Sequence, residues 1–351
     1  VYTAQTYIYK EETMTIIKTL FASMILTLGL ATANAGTLDV VKERGNLICG
    51  SNTGLAGFGN PNDAGVWEGI DVDVCRAVAA AVFGDASKVE YVPLTSKVRF
   101  TSLQSGEVDM LSRNTTWTLQ RDVELGLEFV GVNYYDGQGF MVRKDLGVSS
   151  ATELDGASVC IQVGTTTEMN LADYFSAYGM SYDSIPVETN AEADAAYLAG
   201  RCDIYTTDAS GLYASRAGYP DPSAHVVLPE IVSKEPLGPS VRGNDSEWAD
   251  VVRWSLNAMI IAEEKGITSG NVDDMIANSP DPETQRLLGV KAGYGAWLGL
   301  DDDWAANIIR QVGNYSESFE KHIGVNTPIN IARGLNALYK DGGILYAPPF
   351  R

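Results

Sequence analysis

Histidine is scarce in this chain, with only His225 and His322 among 351 residues. Cysteine stops at four, Cys49, Cys75, Cys160 and Cys202, and no C-x-x-C pair occurs. So few soft ligands leave little material for a zinc site, and no metal or cofactor is expected. Basic residues are short as well: 25 Lys and Arg stand against 45 Asp and Glu, a formal charge of −20. A surface of that sign repels nucleic acid and anionic membranes, so neither is an expected partner. No internal repeat, low-complexity run or coiled-coil heptad is found. The apolar run Leu20 to Leu30 is well short of the roughly 20 residues that cross a bilayer.

That apolar run has another use. From Met14 the chain reads MTIIKTLFASMILTLGLATANA, with Lys18 as a positive flank and Ala33-Asn34-Ala35 as a small-x-small cleavage site. This is the pattern of a secretory signal peptide cut after Ala35, with Val1 to Thr13 an over-extension ahead of it. The next residue is Gly36 rather than a lipid-bearing cysteine, so a free protein retained in a periplasm is expected. Export makes an even cysteine count read as disulfides. Three pairings are possible; Cys49–Cys75 with Cys160–Cys202 is favoured because each bridge then stays within one lobe of the organisation below.

Short apolar runs alternate with helical patterns, the signature of βαβ units. Asn46–Gly50, Val89–Val92 and Val108–Leu111 read as strands, with helices at about Asp71–Phe83 and Arg99–Gln104. The pattern restarts with strands at Gly139–Val142, Ala157–Val163 and Cys202–Tyr205, and helices near Glu168–Ala177 and Ala191–Gly200. Glu247–Lys265 and Asp302–His322 read as long amphipathic helices. The expected fold is α/β in two lobes, each a mostly parallel sheet flanked by helices. Residues 36–140 and 241–351 form the first lobe, with a helical C-terminal extension covering it, and 141–240 the second. Two crossovers near 138–144 and 232–242 join them.

Polar residues gather where these strands end. Ser51-Asn52-Thr53, Arg113 to Thr116, Thr165-Thr166-Thr167 and Thr206 to Asp208 all occupy such places. In open α/β sheets ligands bind beyond the carboxyl ends of the strands. Four such stretches from two lobes would face one another across a cleft. Taken singly, each threonine could equally be a helix N-cap.

The stretches NTGLAGFG, GIDVDVCRAVA, LQSGEVDMLSRNTTWT, VGTTTE, AGRCDIYTTD, LPEIVSKEPLGPSVR and GLNALYKDGGILYAPPFR carry a resemblance. The mature chain resembles the periplasmic amino-acid-binding proteins of ABC transporters, in particular the general L-amino-acid-binding subgroup. The resemblance implies a type II periplasmic-binding-protein fold that captures a free L-amino acid and delivers it to a membrane permease. It implies Arg121 as the guanidinium that grips the ligand carboxylate, a task its planar two-pronged fork suits. Backbone N–H groups near Thr116 and Thr166, with Thr165 beside them, would complete that subsite. Asp208, the Thr116 hydroxyl and Asn114 would receive the ammonium. Asn52 and Leu55 stand where relatives selective for basic amino acids carry an acid and a tyrosine, with Phe58 further on. A permissive pocket for acidic and neutral amino acids is therefore expected, with Arg113 and Arg99 available to an acidic side chain. Trp67 and Trp117 read as packing residues.

An enzyme on the same scaffold, of the periplasmic dehydratase kind, is the rival from another class. Its chemistry needs a spare acid or base in the cleft, whereas His225 and His322 fall outside the four stretches and Asp208 already has a binding role. The expectation is a monomeric binding protein, not an enzyme. A sensor subunit docking on a chemoreceptor would bind the same ligands.

Overall fold

The computed structural model describes residues 36–351, and the expected leader with its cleavage point lies outside the described residues. The helix Ile70–Phe83 shows why the first lobe forms. Its alanine- and valine-rich sequence buries Val74, Cys75, Val78 and Ala81, among others, on nearly every face. The sheet strand Leu47–Asn52 lies on one side, and helices Ser246–Glu264 and Trp304–Gln311 cover the other. Cys49–Cys75 pins the strand to the helix, with 6.3 Å between Cα atoms.

Five strands make the first sheet, in the order Val89–Leu94, Leu47–Asn52, Met110–Leu111, Ser240–Arg242, Leu127–Phe129. Ser240–Arg242, which arrives late in the chain, is antiparallel to both of its neighbours. The second sheet repeats the plan in the order Tyr182–Val187, Ala157–Gln162, Ile204–Asp208, Gln138–Arg143, His225–Val227. There the inserted, antiparallel strand is Gln138–Arg143. The second sheet buries a face on each side. Phe140, Leu171 and Phe175 pack on one, and Tyr197, Tyr205 and Leu212 on the other. Cys160–Cys202 lies within this lobe, with a Cα separation of 5.6 Å. Each bridge stabilises by about 3–4 kcal/mol in the chain-entropy picture.

The chain passes between lobes twice, and the two passages pair. Tyr134–Asp136 is antiparallel to Glu235–Leu237, which sets Asp136 directly opposite Glu235. Gln138 already belongs to the second sheet, so the first passage is at 134–137, a few residues ahead of the stretch near 138–144 read from sequence. Gly137 sits where a Cβ would come 2.2 Å from Ile231 and 2.7 Å from the Ser233 carbonyl.

Three readings need correction. Ser51, Asn52 and Thr206 to Asp208 are the last residues of strands rather than loop residues beyond them. Only Met110–Leu111 of the run from Val108 is strand. The span Asp302–His322 is two helices, Trp304–Gln311 and Tyr315–His322. Gly313 takes φ 96°, a conformation that ends a helix. Asn314 then caps the next one in a box with Glu317.

The C-terminal extension packs on the first lobe through Trp304, Ile308, Phe319 and Phe350. It also reaches the joint between lobes. The Asn336 side chain accepts from the Tyr135 backbone N–H at 2.7 Å and donates to the Tyr135 carbonyl at 3.1 Å. Tyr315 donates its hydroxyl proton to the Asn133 carbonyl at 2.8 Å.

Candidate functional site

The two sheets point their polar strand ends at one another. Between them lies a small cavity, ≈ 20 Å³, lined from the first lobe by Asn52, Ser96, Arg99, Arg113, Asn114 and Thr116. The second lobe contributes Gln162, Thr165, Thr166, Thr167, Asn190, Thr207 and Asp208. A space of that size holds about one water, so anything larger enters by parting the lobes.

Of the residues singled out from sequence, Asn52, Arg99, Arg113, Asn114, Thr116, Thr165, Thr166 and Asp208 meet at this cavity. Arg121 stands behind its wall. Its Nη1 donates to the Thr116 carbonyl at 2.9 Å, and its guanidinium lies 5.0 Å from the centre of the Phe100 ring. Leu55 and Phe58 do not line the cavity. Phe58 is fully buried, edge-on to Tyr134 at 5.3 Å, and Leu55 borders a separate groove at the lobe edge. The apolar character that made Phe58 a candidate is what sends it into the core. Trp67 stacks on Tyr91 and Trp117 on Phe129. His225 meets the Tyr197 hydroxyl at 3.0 Å and His322 meets Asp73 at 2.9 Å, both away from the cavity.

Charge is the main feature of the site. Arg99, Arg113 and Arg121 are all buried. Yet among the described residues none of the three forms an ion pair with a carboxylate. Arg113 donates Nε to the Leu94 carbonyl at 2.8 Å, and Arg99 donates Nη1 to the Thr115 hydroxyl at 3.1 Å. The Arg99 Nε is buried with no hydrogen-bond partner among the described residues. Burial pushes Arg113 and Arg121 down to about 10, still cationic at neutral pH. Arg99 is lowered further by burial and by the two other guanidiniums.

Acidic groups are held a short way off. Asp208 ends the strand Ile204–Asp208 and precedes the helix Ala209–Ala217, but its side chain makes no capping bond to that helix. Burial first, then Asp136 and Glu235, hold its carboxyl well above the usual range, while Arg99 and Arg121 pull it down. Asp136 is raised to about 6, chiefly by burial. It accepts from the Gly137 N–H at 2.8 Å and from the Ser210 hydroxyl.

Sequence reasoning missed the residues that hold this arrangement in place. Asp71, raised to about 6 by burial, accepts from the Asn114 N–H at 2.6 Å and from Asn133 at 2.7 Å. It thereby fixes Asn114 at φ 32°. Glu235 was also missed, because a lone acid in an extended crossover carries no local pattern. It is 1% exposed and receives four side-chain donors. Beyond the site, Lys97 and Glu188 reach across the lobes at 3.7 Å, an exposed pair of little energetic weight.

Residues 47–277 match the bacterial extracellular solute-binding proteins, family 3. The chain belongs to this family. The solute-binding protein is 59% identical over 319 residues to the glutamate/glutamine/aspartate/asparagine-binding protein of Rhodobacter capsulatus, covering 91% of this chain and 94% of the relative. It is 56% identical over 338 residues to the general L-amino acid-binding periplasmic protein of Rhizobium johnstonii, covering 96% and 99% of the two. Among solved structures it is similar to an ABC transporter periplasmic binding protein from Brucella ovis with glutathione bound. That match has a TM-score of 0.88 and 56% identity, over 91% of this chain and all of the other. The family is one of extracellular solute-binding proteins, and the Rhizobium and Brucella relatives are periplasmic binding proteins.

Proposed function

We propose that this solute-binding protein captures free L-amino acids, acidic and amide-bearing ones foremost, between its lobes and presents them to an ABC transporter permease. What carries the reading is the buried separation of charge. Arg99 and Arg113 line one side of the cavity with Arg121 behind them, all three lacking carboxylate partners among the described residues, and the Asp208 carboxyl lies on the other side. A zwitterion matches that pattern, and its ion pairs would offset the desolvation that burial imposes on both poles. The α-carboxylate goes to the Arg121 side, where the N-terminus of the helix Thr166–Ala177 adds backbone donors. The ammonium goes to Asp208, with Thr116 and Asn114 beside it. Arg99 and Arg113 leave cationic capacity for a second carboxylate, or for a side-chain amide oxygen.

The relatives fit the same mould: the Rhodobacter protein binds glutamate, glutamine, aspartate and asparagine, and the Rhizobium protein binds L-amino acids generally. Glutathione, held by the Brucella relative, carries a free amino-acid head and a second carboxylate. Capture needs no covalent step. Ligand joins one lobe, the other swings in, and closure is favoured by the difference in ligand affinity between the two forms. The mature chain starts at Gly36 in this reading, free of a lipid anchor, and acts as a monomer.

Calorimetric titration of the mature protein, stripped of ligand by partial unfolding, against the twenty L-amino acids tests this. Tight binding of glutamate, glutamine, aspartate and asparagine, with weaker binding of several neutral residues, is the expected outcome. Binding of none, together with turnover of a prephenate-like acid, would replace the reading with an enzyme.

A further inference from the structure

We propose that Glu235 sets the hydrogen-bond polarity of the cleft, turning the Thr116 and Thr166 hydroxyls into acceptors that face the ligand ammonium. This rests on the amino-acid-binding reading above and adds a positioning residue to it.

Glu235 does not line the cavity; it stands behind two hydroxyls that do. Its Oε2 accepts from Thr116 Oγ1 at 2.5 Å and from Thr166 Oγ1 at 2.8 Å. Its Oε1 accepts from Asn170 Nδ2 at 2.7 Å and from Ser233 Oγ at 2.7 Å. Four donors converging on two oxygens suit an ionised carboxylate, which only accepts.

A hydroxyl has a single proton to give and two lone pairs. Once Thr116 and Thr166 have donated to Glu235, neither can donate again. Their oxygens lie 3.4 Å apart, and toward the cavity they offer lone pairs only. An N–H donor is welcome at these hydroxyls, whereas an oxyanion can pair only with the backbone N–H groups of the helix start and not with the two threonine oxygens. The negative charge behind the hydroxyls acts in the same sense. Thr116 comes from the first lobe and Thr166 from the second, so the acceptor pair is complete only when the lobes meet. Glu235 touches no ligand in this scheme and acts through the two threonines.

The test compares L-glutamate with glutarate, which has the same two carboxylates and no amino group. Calorimetric titration of the wild-type chain should show a large preference for glutamate. In Glu235→Gln, whose amide donates from one side, that preference should shrink about tenfold or more, mainly through weaker glutamate binding. Thr166→Val, which removes one acceptor and leaves Glu235 in place, should shrink it likewise, and it decides the matter if Glu235→Gln does not fold. An unchanged preference in a folded variant overturns the proposal while leaving amino-acid binding intact. So does an equal loss for both ligands, the mark of a merely structural role. A wild-type chain that binds neither compound, nor any other amino acid, defeats the underlying reading along with it.

Discussion

A guanidinium removed from this site leaves its partner pole exposed to the wrong environment. Arg121→Ala and Asp208→Asn each strip one pole from the zwitterion clamp, and each should weaken glutamate binding by about 3 kcal/mol or more, roughly two orders of magnitude. Titration gives the loss, and thermal unfolding should show a fold that persists. Protons give a second reading of the same residue. Asp208 and Asp136 are held above the usual carboxylate range, Asp136 at about 6, so the free protein retains protons there that an ordinary carboxylate would have released. A bound ammonium favours the ionised forms, so capture expels protons. Affinity should therefore rise as pH climbs through the region near 6 where Asp136 titrates, and on through the raised titration of Asp208, by at most tenfold per unit for each proton released. The charged groups facing Asp208 from neighbouring elements include Asp136, Glu235, Arg99, Arg113 and Arg121. Calorimetry in buffers of different ionisation heat counts the protons, and a pH-independent affinity would count against Asp208 as the ammonium acceptor. The residues legible in the sequence were those at strand ends, where a hydroxyl or arginine contrasts with the apolar run before it. Asp71, Asp136 and Glu235 gave no such contrast. Their roles come from contacts across 43, 74 and 119 positions of chain, respectively.

Elements with a buried face were read well, and those without one were not. The helix Ile70–Phe83 and the strand Ala157–Gln162 carry apolar residues wherever they pack. The strand Tyr182–Val187 is an edge strand with no fully buried residue, so its sequence YDSIPV shows neither alternation nor an apolar run. The reverse error joined Trp304–Gln311 to Tyr315–His322, since the apolar stripe continues across a break that only Gly313 and Asn314 mark. That break is testable. Asn314 accepts from the Glu317 N–H at 2.9 Å and donates to the Ile267 carbonyl at 2.8 Å. Asn314→Ala should lower stability by about 1–2 kcal/mol. Denaturant unfolding would show it, and glutamate affinity should not move.

At the scale of the whole molecule, the two-lobed plan was visible because the βαβ pattern restarts. The position of the joint was not, because extended crossover segments look like any strand. Neither disulfide crosses between lobes. Reduction should lower the melting temperature while leaving the ligand-induced decrease in radius of gyration, measured by small-angle scattering, as it was. The ribbon Tyr134–Asp136 with Glu235–Leu237 is gripped on both edges. Asn336 holds one, and the first-lobe segment Thr115–Trp117 holds the other, through Trp117 N–H to the Pro236 carbonyl at 2.9 Å and Gly238 N–H to the Thr115 carbonyl at 3.0 Å. Both grips come from the first lobe and its extension. The backbone of the joint is thus held in the first lobe's frame, while Ser210, Thr166 and Asn170 of the second lobe reach its Asp136 and Glu235 side chains, so closure is expected to pivot on the far side, at Gly137 and Ser233-Lys234. A membrane partner docked on this protein would feel a fixed jaw and a moving one, so news of a captured ligand would travel by the displacement of the second lobe alone.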